Sequence, residues 1–355
     1  MITPILNSHV QKTSFKSSQE PEQRTTTNYT VDQFIKDCET VENNRLDGGL
    51  SSKLFGSPTA LLTGLGVTGL GELAILTKHA KKVKKLSDGA KNALRRTLKK
   101  QLFAVYAVGL VAMGIIQAWQ NRIIDRKNPK IEQLFDIYGN DTNAKLSDKH
   151  VRSNVVGACY SPVDGRVDMN KNYINDPIGK LMLKKYMKHE LQHARQFEMI
   201  AGLDDGIKKL NYAIFKNIYN QMKNNPQAIK ELKKMNEELK NNTSGKYDAT
   251  TIKLNGAEVN LKKYIQTLNI FIENEDASYE DIPMLIDEEH YKKAIKKHGP
   301  LNEQEKIKAE EYYNAQLEYK PLTFWNMFNP FSAYKNNLLE KEARKAARTK
   351  SGRLE

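Results

Sequence analysis

The amino-acid sequence predicts an α+β fold that is mostly helical, and three observations support this prediction. Two short β-type segments, 154–160 and 166–169, flank the turn signal Ser-Pro-Val-Asp-Gly. After residue 170 most of the chain repeats apolar residues at helical spacing. Two long apolar stretches precede this region and have the composition of membrane helices. We therefore expect a small core of short strands and helices, preceded by a two-helix membrane hairpin.

The composition restricts the classes of partner. The chain has 355 residues and a formal net charge of +14. No aromatic-studded basic motif of a nucleic-acid module occurs, so we do not expect a nucleic acid as partner. The two cysteines, Cys38 and Cys159, are not in metal-ligand spacing and do not predict a disulfide framework.

Residues 1–54 are predicted to form a disordered or variable N-terminal arm. The first 30 residues are rich in Ser, Thr, Gln, Asn and Lys and lack an apolar period. Within the arm, residues 31–41 can form one short amphipathic helix. The opening Met-Ile-Thr-Pro has neither the charged start nor the apolar run of a secretory signal.

The predicted membrane hairpin covers residues 55–120, with spans at 55–76 and 102–119. The first span is rich in glycine, which allows close helix contact in lipid, and contains one acid, Glu72. The second has no charge. The basic connection between them favours a cytoplasmic loop, but basic residues also follow the second span, so the side of the membrane stays open. A soluble helical pair is the alternative.

The central motif of the predicted globular domain, 128–348, is Lys-His-Glu-Leu-Gln-His at residues 188–193. His189 and His193 are four residues apart and therefore lie on one face of a helix, where both imidazoles can reach one metal ion. Glu190 lies beside that face and can hold a water molecule. This is the HExxH signature of zinc hydrolases.

The flanking sequence predicts that the motif lies in the middle of a helix. Asp176 has the character of an N-cap and Pro177 that of a first helical residue, and Gly202 is a plausible end. The alternative is a surface helix that carries two histidines by chance.

A helical insert is predicted over residues 203–318. It contains one short β-hairpin at 251–261, which turns at Asn255-Gly256. The predicted helices of the insert are 207–223, 226–240, 262–272, 278–297 and 302–317. A last helix is predicted over 334–347, with its acids ahead of a basic last turn.

Two histidines do not complete a catalytic zinc site, which needs three protein ligands and an open position. No third histidine follows at short spacing, so a glutamate from a separate helix is the remaining option. Near the C-terminus the chain reads Glu340-Lys341-Glu342-Ala343-Arg344.

These two motifs resemble those of the gluzincin metallopeptidases, and most closely the membrane-associated branch of the prenyl-protein protease and the bacterial heat-shock membrane protease. That branch carries HExxH and, far downstream, E-x-E-A-D. The resemblance implies a zincin-like core, Zn²⁺ as cofactor, ligands His189, His193 and Glu340, and Glu190 as base. Arg344 replaces the final acid of the family motif, and Glu342 remains a rival ligand.

The expected function is zinc-dependent hydrolysis of a peptide or protein substrate at a membrane, with the peptide lying along the strand at 155–160. Tyr334 is the expected oxyanion donor, with His290 or Arg344 as substitutes. A membrane-anchored binding or scaffold protein with a structural or degenerate metal site is the alternative, and a membrane-perturbing protein is a third reading. The oligomeric state is not readable from the sequence.

Overall fold

The computed structural model describes residues 29–48, 52–53, 56–83, 88–123, 129–153, 156–320 and 332–349. Most of these residues are helical, and the strands are few and short, as the sequence predicted. The first 28 residues of the predicted arm lie outside the described residues. The helices that precede the first sheet are α1 (Val31–Asp47), α2 (Pro58–Val83), α3 (Asp88–Ile123) and α4 (Pro129–Tyr138).

Helices α2 and α3 form an antiparallel hairpin that packs through small residues. Gly64 lies against Met113, and Gly71 lies against Val105. A Cβ atom on Gly71 would come within 2.5 Å of Val105 Cγ1, so a larger residue would force the helices apart.

The hairpin presents large apolar side chains to its surroundings. The exposed fractions of Leu70, Phe103 and Ile115 are 72%, 76% and 64%. The apolar parts of the two helices, Pro58–His79 and Leu94–Arg122, are each long enough to cross a membrane. They include most of the predicted spans, 55–76 and 102–119, and they support association of the chain with a membrane.

A buried carboxylate joins the start of the hairpin to the globular part of the chain. Asp176 is fully buried and accepts hydrogen bonds from the Ser57 hydroxyl and from the backbone N–H and hydroxyl of Thr59. It also accepts from the backbone N–H groups of Ile178 and Gly179, at 2.9 and 2.7 Å. These donors compensate the cost of burying the charge.

Asp176 also governs the start of the motif helix, α6 (Gly179–Ala201). The sequence predicted Asp176 as the N-cap and Pro177 as the first helical residue. The helix instead begins at Gly179, two residues after Pro177, and a turn precedes it. The Asp176 carboxylate still caps the free N–H groups of this turn. The predicted end at Gly202 is confirmed.

Helix α1 belongs to the hydrophobic core, although the sequence placed it in the variable arm. It extends beyond the predicted 31–41, and Val31, Phe34 and Cys38 are buried among core residues. At its C-terminal end the Arg45 guanidinium contacts the fully buried Asp168 carboxylate at 2.8 Å. This ion pair fixes α1 against the sheet.

The three-stranded sheet lies beside α6. Its strands are β1 (Lys145–Leu146), β2 (Ala158–Ser161) and β3 (Arg166–Met169), in the order β1-β3-β2. β1 pairs with β3 in parallel and β2 pairs with β3 antiparallel, with Tyr160 opposite Val167. The predicted pair of strands is therefore present, although β2 starts at residue 158 and Asn154 and Val155 lie outside the described residues. Among the described residues, β2 is an edge strand of this sheet.

The insert follows the predicted pattern with one exception. After α5 (Lys171–Ile174) and α6 come α7 (Gly206–Met222), α8 (Pro226–Asn241), β4 (Thr251–Leu254), β5 (Ala257–Asn260), α9 (Leu261–Glu273), α10 (Glu288–His298) and α11 (Glu303–Leu317). The predicted hairpin turn is confirmed, since Asn255 and Gly256 both have positive φ angles.

The predicted helix over 278–297 is wrong for residues 278–287. Pro283 cannot donate a backbone hydrogen bond inside a helix, and the buried Asn211 side chain bonds instead to Pro283 O and to Leu285 N. Asp287 then starts α10 by accepting from His290 N.

The C-terminal helix is split into α12 (Ala333–Asn336) and α13 (Leu338–Arg348), where the sequence predicted one helix over 334–347. Asn337 causes the break. Its side chain accepts from Leu339 N and donates to Ala315 O, so it caps α13 and fixes it to α11.

The environment of His290 generates a prediction about stability. Its ring packs against Gly165 and is buried, and this burial, with Lys145 nearby, lowers the pKa of His290 to about 4, although Asp287 opposes the shift. In the unfolded chain the His290 imidazole binds a proton near pH 6.5, whereas in the folded chain it binds one only near pH 4. The free energy of unfolding therefore falls as the pH drops from about 6.5 to 4. We expect the wild type to lose about 2 kcal/mol more stability than His290→Gln between pH 7 and pH 4.5. Unfolding of both proteins in detergent at the two pH values measures the difference, and a difference independent of pH would contradict this account.

Candidate metal centre

Helix α6 places both histidines of the motif at the wall of a cavity. The opposite face of the helix is anchored in the core by Leu183, Met187 and Leu191, which are fully buried. His189 and His193 therefore point to the other side, and their Nε2 atoms lie 3.3 Å apart. The two imidazole edges converge on one position.

Helix α13 packs along α6 and brings Glu340 to that position. The Glu340 side chain is 3% exposed, and its two carboxylate oxygens lie 3.4 Å from His189 Nε2 and 3.6 Å from His193 Nε2. One ligand atom from each of these three residues falls within 4.8 Å of the others. The structure thus brings together the three residues that the sequence predicted as metal ligands.

Glu342, the rival ligand, lies elsewhere. Its carboxylate accepts a hydrogen bond from the Tyr312 hydroxyl and contacts Lys308 Nζ at 2.6 Å. Because residues i and i+2 of a helix do not share a face, Glu340 and Glu342 cannot both turn towards the histidines.

The charges around Glu340 suit a cation. Burial raises the pKa of Glu340, but His189 and His193 outweigh this effect and hold the pKa well below its usual range. Burial on its own lowers the pKa of His193, but the contact with Glu340 acts in the opposite direction, and the net effect is a raised pKa. The buried Oε2 atom of Glu340 makes no hydrogen bond of standard geometry, and its ion-pair contacts with His189 Nε2 at 3.4 Å and Arg344 Nη1 at 3.7 Å are long. A buried carboxylate oxygen with only such long contacts is well placed to coordinate a metal ion.

Glu190 lies beside the three converging side chains. It is 7% exposed and lines the same cavity as His189, His193 and Glu340. Its negative charge contributes to raising the pKa of His193. The predicted base is therefore next to the site.

The cavity has a volume of about 440 Å³ and extends along the edge strand β2. Residues 156–160 form one wall, and Phe197, Ile214 and Ile218 contribute apolar surface. Tyr160 is stacked on Phe197 at a centroid distance of 5.7 Å. A cavity of this size with a mostly apolar lining is typical of a binding site.

Two tyrosines meet at the Glu340 side of the cavity. Tyr334, the predicted oxyanion donor, lines the cavity with its ring centroid 6.1 Å from that of Tyr319. The Tyr319 hydroxyl donates to Glu340 Oε1 at 3.1 Å. Burial and the Glu340 charge raise the pKa of both hydroxyls well above the usual range, so both remain protonated donors.

Tyr319 was not predicted from the sequence. It follows α11 by two residues and belongs to no motif. Its role depends on the packing of α13 beside α11, which local spacing does not predict.

The two substitutes for Tyr334 differ in position. Arg344 lines the cavity, contacts Glu340 Oε2 at 3.7 Å and donates to Lys335 O. The His290 ring packs on Gly165, and its Nδ1 atom lies 3.3 Å from the side-chain nitrogen of Asn143. His290 is therefore surrounded by different elements from those that carry the predicted metal ligands. Because His290 is not among the residues that line the described cavity, we withdraw it as a donor.

The described residues therefore contain two imidazoles, a buried carboxylate, an adjacent second carboxylate and two tyrosine hydroxyls around one cavity. This set of groups can bind a divalent metal ion and transfer protons beside it. Comparisons of the chain with protein-family models, with curated proteins and with solved structures find no match.

Proposed function

We propose that this chain is a zinc-dependent metalloendopeptidase attached to a membrane by its apolar hairpin. The observation that carries the proposal is the convergence of His189, His193 and Glu340, from two separate helices, beside the buried Glu190. The HExxH sequence alone accounts for only three of these four residues.

The donor set fits zinc. Two neutral imidazole nitrogens and one carboxylate oxygen are the ligands of many catalytic zinc sites, and they leave one position open. The Oε2 atom of Glu340 makes only long ion-pair contacts and no standard hydrogen bond, which supports the assignment of Glu340 as the third ligand. A zinc ion held by these residues supplies Lewis acidity, which lowers the pKa of a water molecule to about 7.

Glu190 performs the proton transfers in this proposal. Its carboxylate accepts a proton from the attacking water and delivers it to the leaving amine nitrogen. Tyr319 donates its hydroxyl proton to Glu340 Oε1. Tyr334 lines the cavity beside Glu340 and stays our proposed donor to the developing oxyanion.

The substrate lies along β2 in this proposal. Among the described residues β2 pairs only with β3, and residues 156–160 line the cavity. An extended peptide can add to such an edge through backbone hydrogen bonds, which bind it with little dependence on sequence. A peptide bound in this way would have a scissile bond close to the proposed metal ligands.

The hairpin supports anchoring in the membrane. Contacts to the globular part come from both of its ends: Ser57 and Thr59 bond to Asp176, and Arg152 donates to Asn121 at 3.3 Å. The metal centre is therefore at the end of the hairpin opposite its basic connection.

We expect the full chain to remain in the membrane pellet after extraction with alkaline carbonate, because the outward-facing apolar side chains of both spans contact lipid. Immunoblotting of pellet and supernatant measures this. Release of the chain into the supernatant would favour the soluble helical pair.

Metal analysis tests the ligands. The purified full chain in detergent should hold one zinc ion, and Glu340→Ala should lower zinc affinity by at least about 100-fold, since loss of a ligand exceeds the 10- to 100-fold effect of an outer residue. Glu342→Ala is the matched control and should retain zinc, because Glu342 bonds to Tyr312 and Lys308. The opposite pattern would make Glu342 the ligand, and a zinc-free wild type would favour the scaffold alternative.

Substitution of the base separates binding from catalysis. Glu190→Gln should retain one zinc ion but hydrolyse self-quenched fluorescent casein about 10²- to 10⁴-fold more slowly. Glu342→Gln makes the same chemical change two residues from Glu340 and is the matched control. Its rate of casein hydrolysis should stay within about twofold of wild type, since an amide oxygen still accepts a hydrogen bond from Tyr312. Full activity of Glu190→Gln would remove Glu190 as the base.

A further inference from the structure

Gln196 connects a histidine of the motif to the helix that carries the carboxylate ligand. It lies three residues after His193 on α6 and is fully buried. Its amide nitrogen Nε2 donates to Leu339 O at 3.1 Å, and its oxygen Oε1 lies 2.9 Å from His193 Nδ1. Leu339 immediately precedes Glu340, so one side chain contacts both halves of the metal centre.

The direction of the amide is fixed by its partners. A backbone carbonyl can only accept a hydrogen bond, so the group that faces Leu339 O must be the amide nitrogen.

The amide direction determines which nitrogen of His193 carries the proton. Because Gln196 Oε1 is an acceptor, His193 Nδ1 must be the donor in the 2.9 Å contact. The neutral ring then has its lone pair on Nε2. That atom lies 3.3 Å from His189 Nε2 and 3.6 Å from Glu340 Oε1.

We propose that Gln196 is a positioning residue that holds His193 in the Nδ1–H tautomer and fixes the spacing between α6 and α13 at the metal centre. In metal-free protein this inference concerns only the proton on His193; its consequence for zinc rests on the proposed function. Loss of the amide frees the imidazole to adopt the other tautomer, which cannot bind a metal through Nε2. Loss of the bond to Leu339 O loosens Glu340 relative to both histidines.

Two variants distinguish the effects of the two hydrogen bonds that Gln196 makes, one to His193 Nδ1 and one to Leu339 O. Gln196→Glu keeps an acceptor for His193 Nδ1 but removes the donor to Leu339 O, whereas Gln196→Met removes both with little change in volume. Gln316→Met is the matched control, since Gln316 is also buried at the cavity but Gln196, not Gln316, is the hydrogen-bond partner of His193 Nδ1. Thermal unfolding of each protein checks that it is folded.

The first readout is the two-bond ¹H–¹⁵N NMR spectrum of metal-free, histidine-labelled full chain in detergent, at a pH where the ring is neutral. The His193 signals are identified by their loss in His193→Ala. We expect the Nδ1–H tautomer in the wild type, in Gln196→Glu and in Gln316→Met, and a mixture of tautomers in Gln196→Met. A purely structural role of Gln196 would not change this ratio.

The second readout is the affinity for zinc, measured by competition with a chromophoric chelator. Gln196→Met should bind zinc 10- to 100-fold more weakly than the wild type, Gln196→Glu should lose less, and Gln316→Met should stay within about twofold. An Nε2–H tautomer in the wild type, or an unchanged tautomer and affinity in Gln196→Met, would overturn the inference. If the tautomers follow the expectation but no protein binds zinc, the positioning role of Gln196 stands and the proposed hydrolase function fails.

Discussion

A buried carboxylate between two imidazoles is the constraint on which the rest of the molecule depends. Glu340 is 2% exposed, and removing a charge from water costs several kcal/mol unless other groups compensate it. That compensation comes from three segments of the chain: His189 and His193 on α6, Tyr319 after α11, and Arg344 on α13. Both contacts of Oε2, to His189 and Arg344, are long ion pairs rather than hydrogen bonds, and this leaves room in our proposal for a cation between the three side chains.

The surrounding elements keep α6 and α13 in the register that this arrangement needs. Gln196 bonds across the two helices at the metal centre, and the buried Lys188 donates to Thr349 O near the far end of α13. Asp176 fixes the start of α6 and ties it to the hairpin through Ser57. The position of the metal centre and the direction of the apolar hairpin are consequently set by bonds to the same helix.

The sequence was informative where chemistry depends on local spacing. His189, Glu190 and His193 follow from the period of one helix, and the antiparallel strand pair and the Asn255-Gly256 turn follow from local pattern. Glu340 emerged only from a resemblance to a family motif, and its choice over Glu342 required the contacts of Tyr312 and Lys308. Tyr319 and the partner of Gln196 depend on how α11 and α13 pack, which no local pattern encodes. The buried position of α1 and the non-helical segment around Pro283 were missed because tertiary bonds override local propensity there.

X-ray absorption at the zinc K edge of the purified, zinc-loaded full chain identifies the atoms that bind the metal. We predict two imidazole nitrogens at about 2.0–2.1 Å, oxygen ligands from Glu340 and water, and no sulfur. We predict one imidazole fewer in His193→Ala, if that variant retains zinc at all. A spectrum with sulfur ligands, or one with an unchanged set of imidazoles in His193→Ala, would show that the metal is bound elsewhere and that His189, His193 and Glu340 are not its ligands.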